Sequence, residues 1–173
     1  MEDIIKVDIY DNQIGTIEKL TAHRTPVLHR AFSVFLYDGN KILLQKRADN
    51  KYHSGGLWAN ACCSHPRANL SFWDSVYSRL EFELGITKKI KLDELFSFTY
   101  LSKYNADLYE YEYDHVLLGK YSDEQLSFNQ EEISELRWWG IDELEKQMVE
   151  QPNKFATWFL ICAPKVLAEI KKL

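Results

Sequence analysis

A strictly alternating segment, Tyr109-Glu110-Tyr111-Glu112-Tyr113-Asp114, constrains the fold of this chain more than any other feature. In a β-strand successive side chains point to opposite faces, so the tyrosines share one face while Glu110 and Glu112 share the other. Two like charges on one strand face repel each other unless a cation lies between them or water screens them. The segment therefore predicts either a metal-binding strand or a solvated edge strand whose aromatic face packs inward.

Other patterns predict further strands. Hairpins are expected at residues 4–10 with 14–18, and at residues 31–37 with 41–45 around the turn Asp38-Gly39-Asn40. Residues 48–57 are polar and predict a loop. Shorter strands are expected at residues 57–63, 95–100, 109–118 and 136–139.

Helices are expected after these hairpins. Apolar spacing predicts a helix at residues 72–84 that Gly85 stops. A second helix, capped by Asp142, should reach residue 150, and a last one at residues 154–171 contains Pro164. This order of elements predicts an α+β fold, an α/β/α sandwich with mixed strand pairing.

Composition limits the class of protein. The chain has 173 residues, 46% of them hydrophobic, which suits one domain spanning residues 1–173. A net charge of −5 argues against nucleic acid as a partner, because phosphate contacts need clustered Lys and Arg. Neither a signal peptide nor a membrane span is expected, since residues 1–6 lack the required pattern and no apolar run reaches 18 residues. Three cysteines, two of them adjacent, favour a reducing, cytoplasmic setting.

The segment from Trp58 to Pro66 places a cysteine and a histidine at strand spacing. Cys63 and His65 lie two residues apart and share a strand face, whereas Cys62 points the other way. A cysteine beside a histidine can serve in proton or nucleophile chemistry. The alternative is a buried structural cysteine beside an incidental surface histidine.

Several residues could together bind a divalent metal. Imidazole and carboxylate donors in one set suit Zn, Mn, Fe or Mg, of which Mg favours imidazole least. The candidates form a His₃Glu₂ set of His23, His29, His65, Glu110 and Glu112.

Five charged residues have both a structural and a functional interpretation. Arg79 and Glu83 are i,i+4 neighbours on the predicted helix, so they form either a surface ion pair or a phosphate-binding arginine beside a metal ligand. Lys19, Arg47 and Lys51 are three more cations, spread along the first third of the chain. Cations so spread are usually solvated.

Two aromatic residues also have two interpretations. Trp158 is either part of the core or a π face for a cation. Tyr100 is either part of the core or a hydroxyl donor in a pocket.

Taken in order, these segments resemble the type I isopentenyl diphosphate isomerases, which share the Nudix fold. The resemblance covers roughly residues 4–165 and is specific because both the order and the spacing of the segments match. The matching segments are Thr16-Ile17-Glu18-Lys19 with Ala22-His23, Leu28-His29-Arg30-Ala31-Phe32-Ser33, Trp58 to Pro66, Glu81-Phe82-Glu83-Leu84-Gly85, Glu110-x-Glu112 and Trp158.

The resemblance implies a role for each matching residue. Cys63 and Glu112 match the catalytic cysteine and glutamate of that family. The His₃Glu₂ set matches the ligands of that family's divalent metal (Mn²⁺, Zn²⁺ or Mg²⁺). Glu83 matches the ligand of a second ion, a Mg²⁺ that is bound to the diphosphate. The cationic residues that surround the diphosphate in that family correspond here to Lys19, Arg47, Lys51 and Arg79. The aromatic residues at the reacting end correspond to Tyr100 and Trp158.

The resemblance also implies the reaction and its partners. Isopentenyl diphosphate would become dimethylallyl diphosphate through a tertiary carbocation, in isoprenoid biosynthesis. This requires a proton donor and an acceptor on opposite sides of the alkene, for which Cys63 and Glu112 are the candidates in either order. The expected partner is a small prenyl diphosphate, and the enzyme would be a monomer or a homodimer.

Two departures from family patterns bear on alternative functions. A Nudix hydrolase has Glu two, three and six residues before the glycine, where this chain has Glu83, Phe82 and Arg79. Residues 69–73 also lack the Gly-Glu common in the isomerases. The alternatives are a Nudix-type diphosphate hydrolase, an isomerase acting on another prenyl diphosphate, and a non-catalytic module that binds a prenyl diphosphate or a metal.

Overall fold

The computed structural model describes residues 3–122 and 126–173. Met1 and Glu2, part of the segment that argues against a signal peptide, lie outside the described residues. The strands are β1 (Asp3–Val7), β2 (Gln13–Glu18), β3 (His29–Asp38), β4 (Lys41–Arg47), β5 (Trp58–Asn60), β6 (Cys62–Ser64), β7 (Asp93–Asn105), β8 (Leu108–Lys120) and β9 (Ile133–Gly140). The helices are α1 (Lys19–Arg24), α2 (Phe72–Leu84), α3 (Ile141–Glu150) and α4 (Thr157–Ile170), with a 3₁₀ turn at Pro152–Lys154 before α4.

The strands form one mixed sheet with β3 at its centre. Along one edge, β8 pairs with β3 in parallel from His29 to Tyr37. The opposite edge of β3 is shared in turn by β1, β6 and β4, all antiparallel to it. β7 extends the sheet beyond β8, and β9 pairs with β4. The predicted mixed pairing is confirmed.

Helices cover both faces of the sheet because β3 and β4 alternate their apolar side chains. Phe32 and Leu36 pack against α2, while Phe35 packs against α4, where its ring lies 6.0 Å from that of Phe159. Fully buried apolar side chains of this kind each stabilise the fold by about 1.5–3 kcal/mol. The predicted α/β/α sandwich is confirmed.

Most predicted elements are present with shifted ends. Both hairpins form, and the predicted strand at 57–63 is split at Ala61 into β5 and β6. α2 begins after Ser71, whose hydroxyl accepts a hydrogen bond from the Asp74 amide, and ends at Gly85, which has φ 67°. α1 is an additional helix that the sequence patterns did not predict.

Two predicted helix starts are wrong. α3 begins directly after Gly140 without a side-chain cap, and Asp142 lies inside its first turn, where a carboxylate favours the helix dipole. α4 begins at Thr157 instead of residue 154, because Phe155 pairs with Trp58 and the Ala156 amide donates to the Trp58 carbonyl. None of the helices in the described part of the chain has both the length and the apolar character needed to cross a bilayer.

Candidate active site

Four of the five predicted metal ligands converge on one point. His23 comes from α1, His29 from the start of β3, His65 from the end of β6 and Glu112 from β8, and their donor atoms all lie within 4.8 Å of one another. The parallel register sets His29 opposite Glu112, and β6 brings His65 to the other edge of β3. All four side chains are buried.

Two of these histidines are oriented by backbone carbonyls. Nδ1 of His23 donates to the Lys19 carbonyl at 2.7 Å, and Nδ1 of His29 donates to the Val27 carbonyl at 2.8 Å. Their Nε2 atoms therefore face the site, as the ligating nitrogens do in protein metal sites. Nε2 of His29 is buried without a hydrogen-bond partner, 3.7 Å from Glu112 Oε1. Such an orphaned nitrogen beside a carboxylate fits a divalent ion between them.

Charge states in this cluster also fit metal binding. Burial alone would raise the pKa of Glu112, but its contacts with the imidazoles of His29 and His65 outweigh burial, so that the pKa lies well below its usual value. Burial lowers the pKa of both His65 and His23. An ionised Glu112 beside neutral His23 and His65 is the protonation state that binds a cation.

Glu110, the fifth predicted ligand, belongs to a second group that overlaps the first. Its donor atom lies within 4.8 Å of those of His23 and His53. Glu110 Oε2 accepts hydrogen bonds from the hydroxyls of Tyr100 at 2.8 Å and Tyr104 at 2.6 Å. β8 lies between β3 and β7, so the alternative of a solvated edge strand is wrong.

Cys63 and Cys62 occupy opposite faces, as predicted. Cys62 is fully buried in the apolar core beside α2, whereas Cys63 is partly exposed in a pocket that it shares with His65 and Glu112. Burial raises the pKa of the Cys63 thiol, although Arg47, whose Nη1 donates to Sγ at 3.7 Å, opposes this effect. The thiol is thus held protonated, as a proton donor must be.

The four predicted diphosphate contacts line this same pocket. These residues are spread along the sequence and come from three different elements and a loop. They are Lys19, Arg47, Lys51 and Arg79. The interpretation of Lys19, Arg47 and Lys51 as merely scattered, solvated cations is therefore wrong. Glu132, which sequence reasoning missed, also lines the pocket and pairs with Lys51 and, at 3.4 Å, with Arg79.

Arg79 and Glu83 form an ion pair, but not on the surface. Nη2 of Arg79 lies 2.5 Å from Glu83 Oε1, and Glu83 is 2% exposed. Burial raises the pKa of Glu83, with Arg79 opposing the shift. Gln45 donates to the other carboxylate oxygen at 3.3 Å. The surface interpretation fails because α2 directs Glu83 towards the sheet.

Both interpretations hold for Trp158, whereas Tyr100 belongs to the core and its hydroxyl contacts two carboxylates. Trp158 is buried, its indole nitrogen donates to Asn60 Oδ1 at 3.0 Å, and its ring lines the pocket with the Arg47 guanidinium 5.3 Å from its centroid. Tyr100 packs in the core, while its hydroxyl contacts Glu110 and, at 2.7 Å, Glu112.

Sequence reasoning also missed His53 and Tyr104. Tyr104 had a usable signal, since residues 100, 102 and 104 alternate along β7 just as residues 109–114 alternate along β8. His53 lies in the loop between β4 and β5, where no periodicity indicates the direction of a side chain.

The chain matches the NUDIX domain family over residues 27–159. Among solved structures, the fold is similar to that of a protein from Deinococcus radiodurans, with a TM-score of 0.70, 18% identity and coverage of 87% of this chain and 90% of that one. It is also similar to a MutT protein from Methanosarcina mazei, with a TM-score of 0.63, 16% identity and coverage of 84% and 94%. Identities this low show the fold alone.

Sequence relatives are more specific. An isopentenyl-diphosphate Delta-isomerase of Photobacterium profundum is 41% identical, over 96% of this chain and 92% of that protein. Isopentenyl-diphosphate Delta-isomerase 2 of Aromatoleum aromaticum is 39% identical, over 97% of this chain and 88% of the other. With such identity across nearly the whole of both proteins, and with four of the predicted metal ligands converging beside the pocket that contains Cys63, the chain belongs to the isopentenyl-diphosphate Delta-isomerase family.

Proposed function

We propose that this protein interconverts isopentenyl diphosphate and dimethylallyl diphosphate, a step of isoprenoid biosynthesis. One observation carries the proposal: a single pocket contains a thiol held protonated, an ionised glutamate and four cationic side chains. The first two groups can move protons at carbon. The cations can bind the diphosphate at a distance from the reacting carbons.

The reaction adds a proton to the terminal carbon of the alkene and removes one from the carbon nearer the diphosphate. An unactivated alkene is a weak base, so the path goes through a tertiary carbocation. Cys63 and Glu112 line the pocket, and both positions match the catalytic residues implied by the resemblance. We assign the donor and acceptor roles to this pair in either order. Trp158 adds an aromatic wall that favours positive charge on carbon.

Tyr100 has a supporting part in this proposal. Its hydroxyl contacts Oε2 of both Glu110 and Glu112, so it fixes the orientation of the two carboxylates. An oriented Glu112 can face the substrate in one geometry only, which is how a general acid or base gains efficiency.

The histidine and glutamate cluster would hold a divalent metal. The residues present fit such an ion, because the donors are buried, Glu112 is ionised, and Nε2 of His29 has no hydrogen-bond partner. When bound, the ion would fix Glu112 and tune its acidity. Imidazole donors favour Mn²⁺ or Zn²⁺ over Mg²⁺ at this position.

The diphosphate would lie against Lys19, Arg47, Lys51 and Arg79 together with Mg²⁺. Mg²⁺ is commonly held by one or two carboxylates plus substrate phosphates. Glu83, adjacent to Arg79, is the carboxylate we assign to it.

The alternatives have less support. A Nudix hydrolase needs glutamates two, three and six residues before Gly85, but α2 has a carboxylate at the first of these positions only, Glu83, while the other two are Phe82, which is half exposed, and Arg79. The relatives named as isopentenyl-diphosphate Delta-isomerases favour this five-carbon substrate over other prenyl diphosphates. A non-catalytic binding module would not require a protonated thiol in the same pocket as the two glutamates. Three free cysteines suit a cytoplasmic location.

NMR of isopentenyl diphosphate incubated in D₂O with the protein, Mg²⁺ and Mn²⁺ or Zn²⁺ tests the proposal. Deuterated dimethylallyl diphosphate should appear, and should be lost on chelation and in Glu112→Gln. Release of free phosphate would instead indicate the hydrolase, and an unchanged spectrum would reject isomerisation of this substrate.

A further inference from the structure

We propose that His53 is a sixth protein ligand of the metal centre, which makes it a closed site of four imidazoles and two carboxylates. The inference deepens the proposed function and rests on its metal centre. It concerns a residue outside the His₃Glu₂ set that the resemblance implies.

His53 is built into the site, although it lies in a loop. Its side chain is buried, and its ring stacks on that of Tyr104 at 4.5 Å with an interplanar angle of 18°. The backbone around it is tight: a Cβ at Gly55 would lie 2.5 Å from the Asp49 carbonyl oxygen, and Gly56 has φ 72°. Only glycine fits such a close approach, and the left-handed region favours it. The loop therefore holds His53 in one place.

The ring nitrogens of His53 have the arrangement of a ligand. Nε2 points into the site, 3.2 Å from Glu110 Oε1, and lies within 4.8 Å of the donor atom of His23. Nδ1 faces outward, 3.3 Å from the Ser54 hydroxyl. The same division, with Nε2 inward and Nδ1 on an outer partner, holds for His23 and His29. Metal-binding histidines are oriented by such outer partners.

The closest contacts between these donors match the spacing of ligands around one ion. With metal–ligand bonds of about 2.1 Å, adjacent donors of an octahedral ion are about 3.0 Å apart and opposite donors about 4.2 Å apart. The contact between His53 and Glu110 matches the first value, as does the 2.8 Å between His65 Nε2 and Glu112 Oε1. His23 belongs to both donor groups, so it connects His53 and Glu110 to the other three donors, and one ion bound by all six would draw the two groups together.

Charge balance supports the same conclusion. Two carboxylates neutralise a divalent ion, and four neutral imidazoles complete six donors without adding charge. Burying a neutral cluster avoids the cost of an uncompensated buried charge. With all positions filled by protein, the ion would position the carboxylates and would have no open position for water or substrate. Four imidazoles would also favour Zn²⁺, Mn²⁺ or Co²⁺ over Mg²⁺.

X-ray absorption at the zinc edge tests this inference, because imidazole rings around an ion give a countable scattering signal. The full-length wild-type protein loaded with one equivalent of Zn²⁺ should show four imidazoles, and His53→Ala should show three. His115→Ala is the matched control: His115 lies elsewhere, between Glu94 and Asp11, so its removal should leave four.

Three imidazoles in the wild type would overturn the inference without the need for any variant, so a misfolded His53→Ala cannot hide a failure. Three imidazoles together with normal isomerisation would reject His53 as a ligand and leave the proposed function standing. Four imidazoles in a protein that fails to isomerise would support the ligand and reject the function.

Discussion

Cys62 and Cys63 are neighbours in sequence, yet β6 sends them into different chemical surroundings. Cys63 contacts the pocket and Arg47, while Cys62 packs against Val76 and Leu80 of α2. Each can be replaced by alanine with the loss of one sulfur atom. The pair therefore separates catalysis from packing within a single strand.

We expect Cys63→Ala to lower the turnover of isopentenyl diphosphate by at least about 100-fold, because it removes a proton-transferring group. Cys62→Ala should keep turnover close to wild type and lower the free energy of unfolding by about 1 kcal/mol, because it leaves a small cavity. Steady-state kinetics and urea unfolding of both variants measure these effects. An active Cys63→Ala beside an inactive but folded Cys62→Ala would reverse the assignment.

The faces of individual side chains were predictable where a strand pattern was strong. The alternation at residues 109–114 placed Glu110 and Glu112 together, and the spacing of Cys63 and His65 placed them in one pocket. His53 was not predictable in this way, since its direction depends on a loop with glycines at its end. Local sequence shows which face a strand residue occupies, but not where a loop residue points.

At the scale of elements, the end of α2 depends on Gly85. Gly85 has φ 67°, and a Cβ there would lie 2.7 Å from the Ser127 carbonyl oxygen. That backbone is fixed near the helix, because the Asn129 amide donates to the Glu83 carbonyl at 2.9 Å. Gly39, in the turn between β3 and β4, also has a positive φ, 56°, but has no atom within 4 Å of a Cβ.

We expect Gly39→Ala to destabilise the protein by about 1–2 kcal/mol, the cost of a left-handed conformation for an L-residue. Gly85→Ala should cost more, because a backbone clash adds to the same strain. Urea unfolding of the two variants compares the effects directly. Equal losses would show that the segment around Ser127 moves away freely and does not pack against α2.

A buried thiol on α4 gives stability a dependence on alkaline pH. Burial raises the pKa of Cys162 well above its ordinary value of 9.0, so the native thiol keeps its proton when the unfolded thiol has lost it. The unfolded state then binds fewer protons, and stability falls as pH rises. The stabilisation that the buried, neutral Cys162 thiol provides is fully present below about pH 9 and decreases above that pH.

For Cys162→Ala we therefore expect the stability difference from wild type to shrink by up to about 1.4 kcal/mol per pH unit above pH 9. Unfolding free energies of both proteins at pH 8, 9.5 and 10.5 measure this difference, and other titrating groups cancel between them. A difference that stays constant across this range would show that the native thiol ionises normally.

The positions of the elements were predicted better than their junctions. α1 was missed because six residues are too few for a helical period to emerge, although the Glu18 side chain caps it through the amides of Leu20 and Thr21. The start of α4 was predicted too early because Phe155 forms a β-bridge with Trp58 and is therefore not helical. The parallel register of β3 with β8 sets His29 beside Glu112. It depends on contacts between residues far apart in sequence, so no local pattern predicts it.

At the scale of the whole molecule, the proposed metal centre joins distant parts of the chain. Its donors come from α1, β3, the loop before β5, the end of β6 and β8. None of these segments is adjacent to all the others in sequence, so the unfolded chain has no formed site. A ligand that binds only the native state stabilises it by mass action.

Zinc or manganese at about 100 times its dissociation constant should therefore add about 2.7 kcal/mol to the free energy of unfolding. For a chain of this length that corresponds to a rise in Tm of about 5–10 °C, and a chelator should reverse it. Mg²⁺ at the same concentration should raise Tm less, since imidazole donors suit it poorly. Differential scanning calorimetry of the full chain with each ion measures these shifts.

Glu112→Gln should lose most of the rise, because a neutral amide replaces an ionised donor at the centre of the cluster. Glu143→Gln is the matched control: Glu143 is exposed on α3 and pairs with Arg137 at 2.7 Å, so the same change there should leave the rise intact. Since both variants lose one negative charge, a difference between them isolates the site from the net charge. An equal rise in Tm for both would mean that the ion binds elsewhere, and that the convergence of these side chains is a feature of the fold alone.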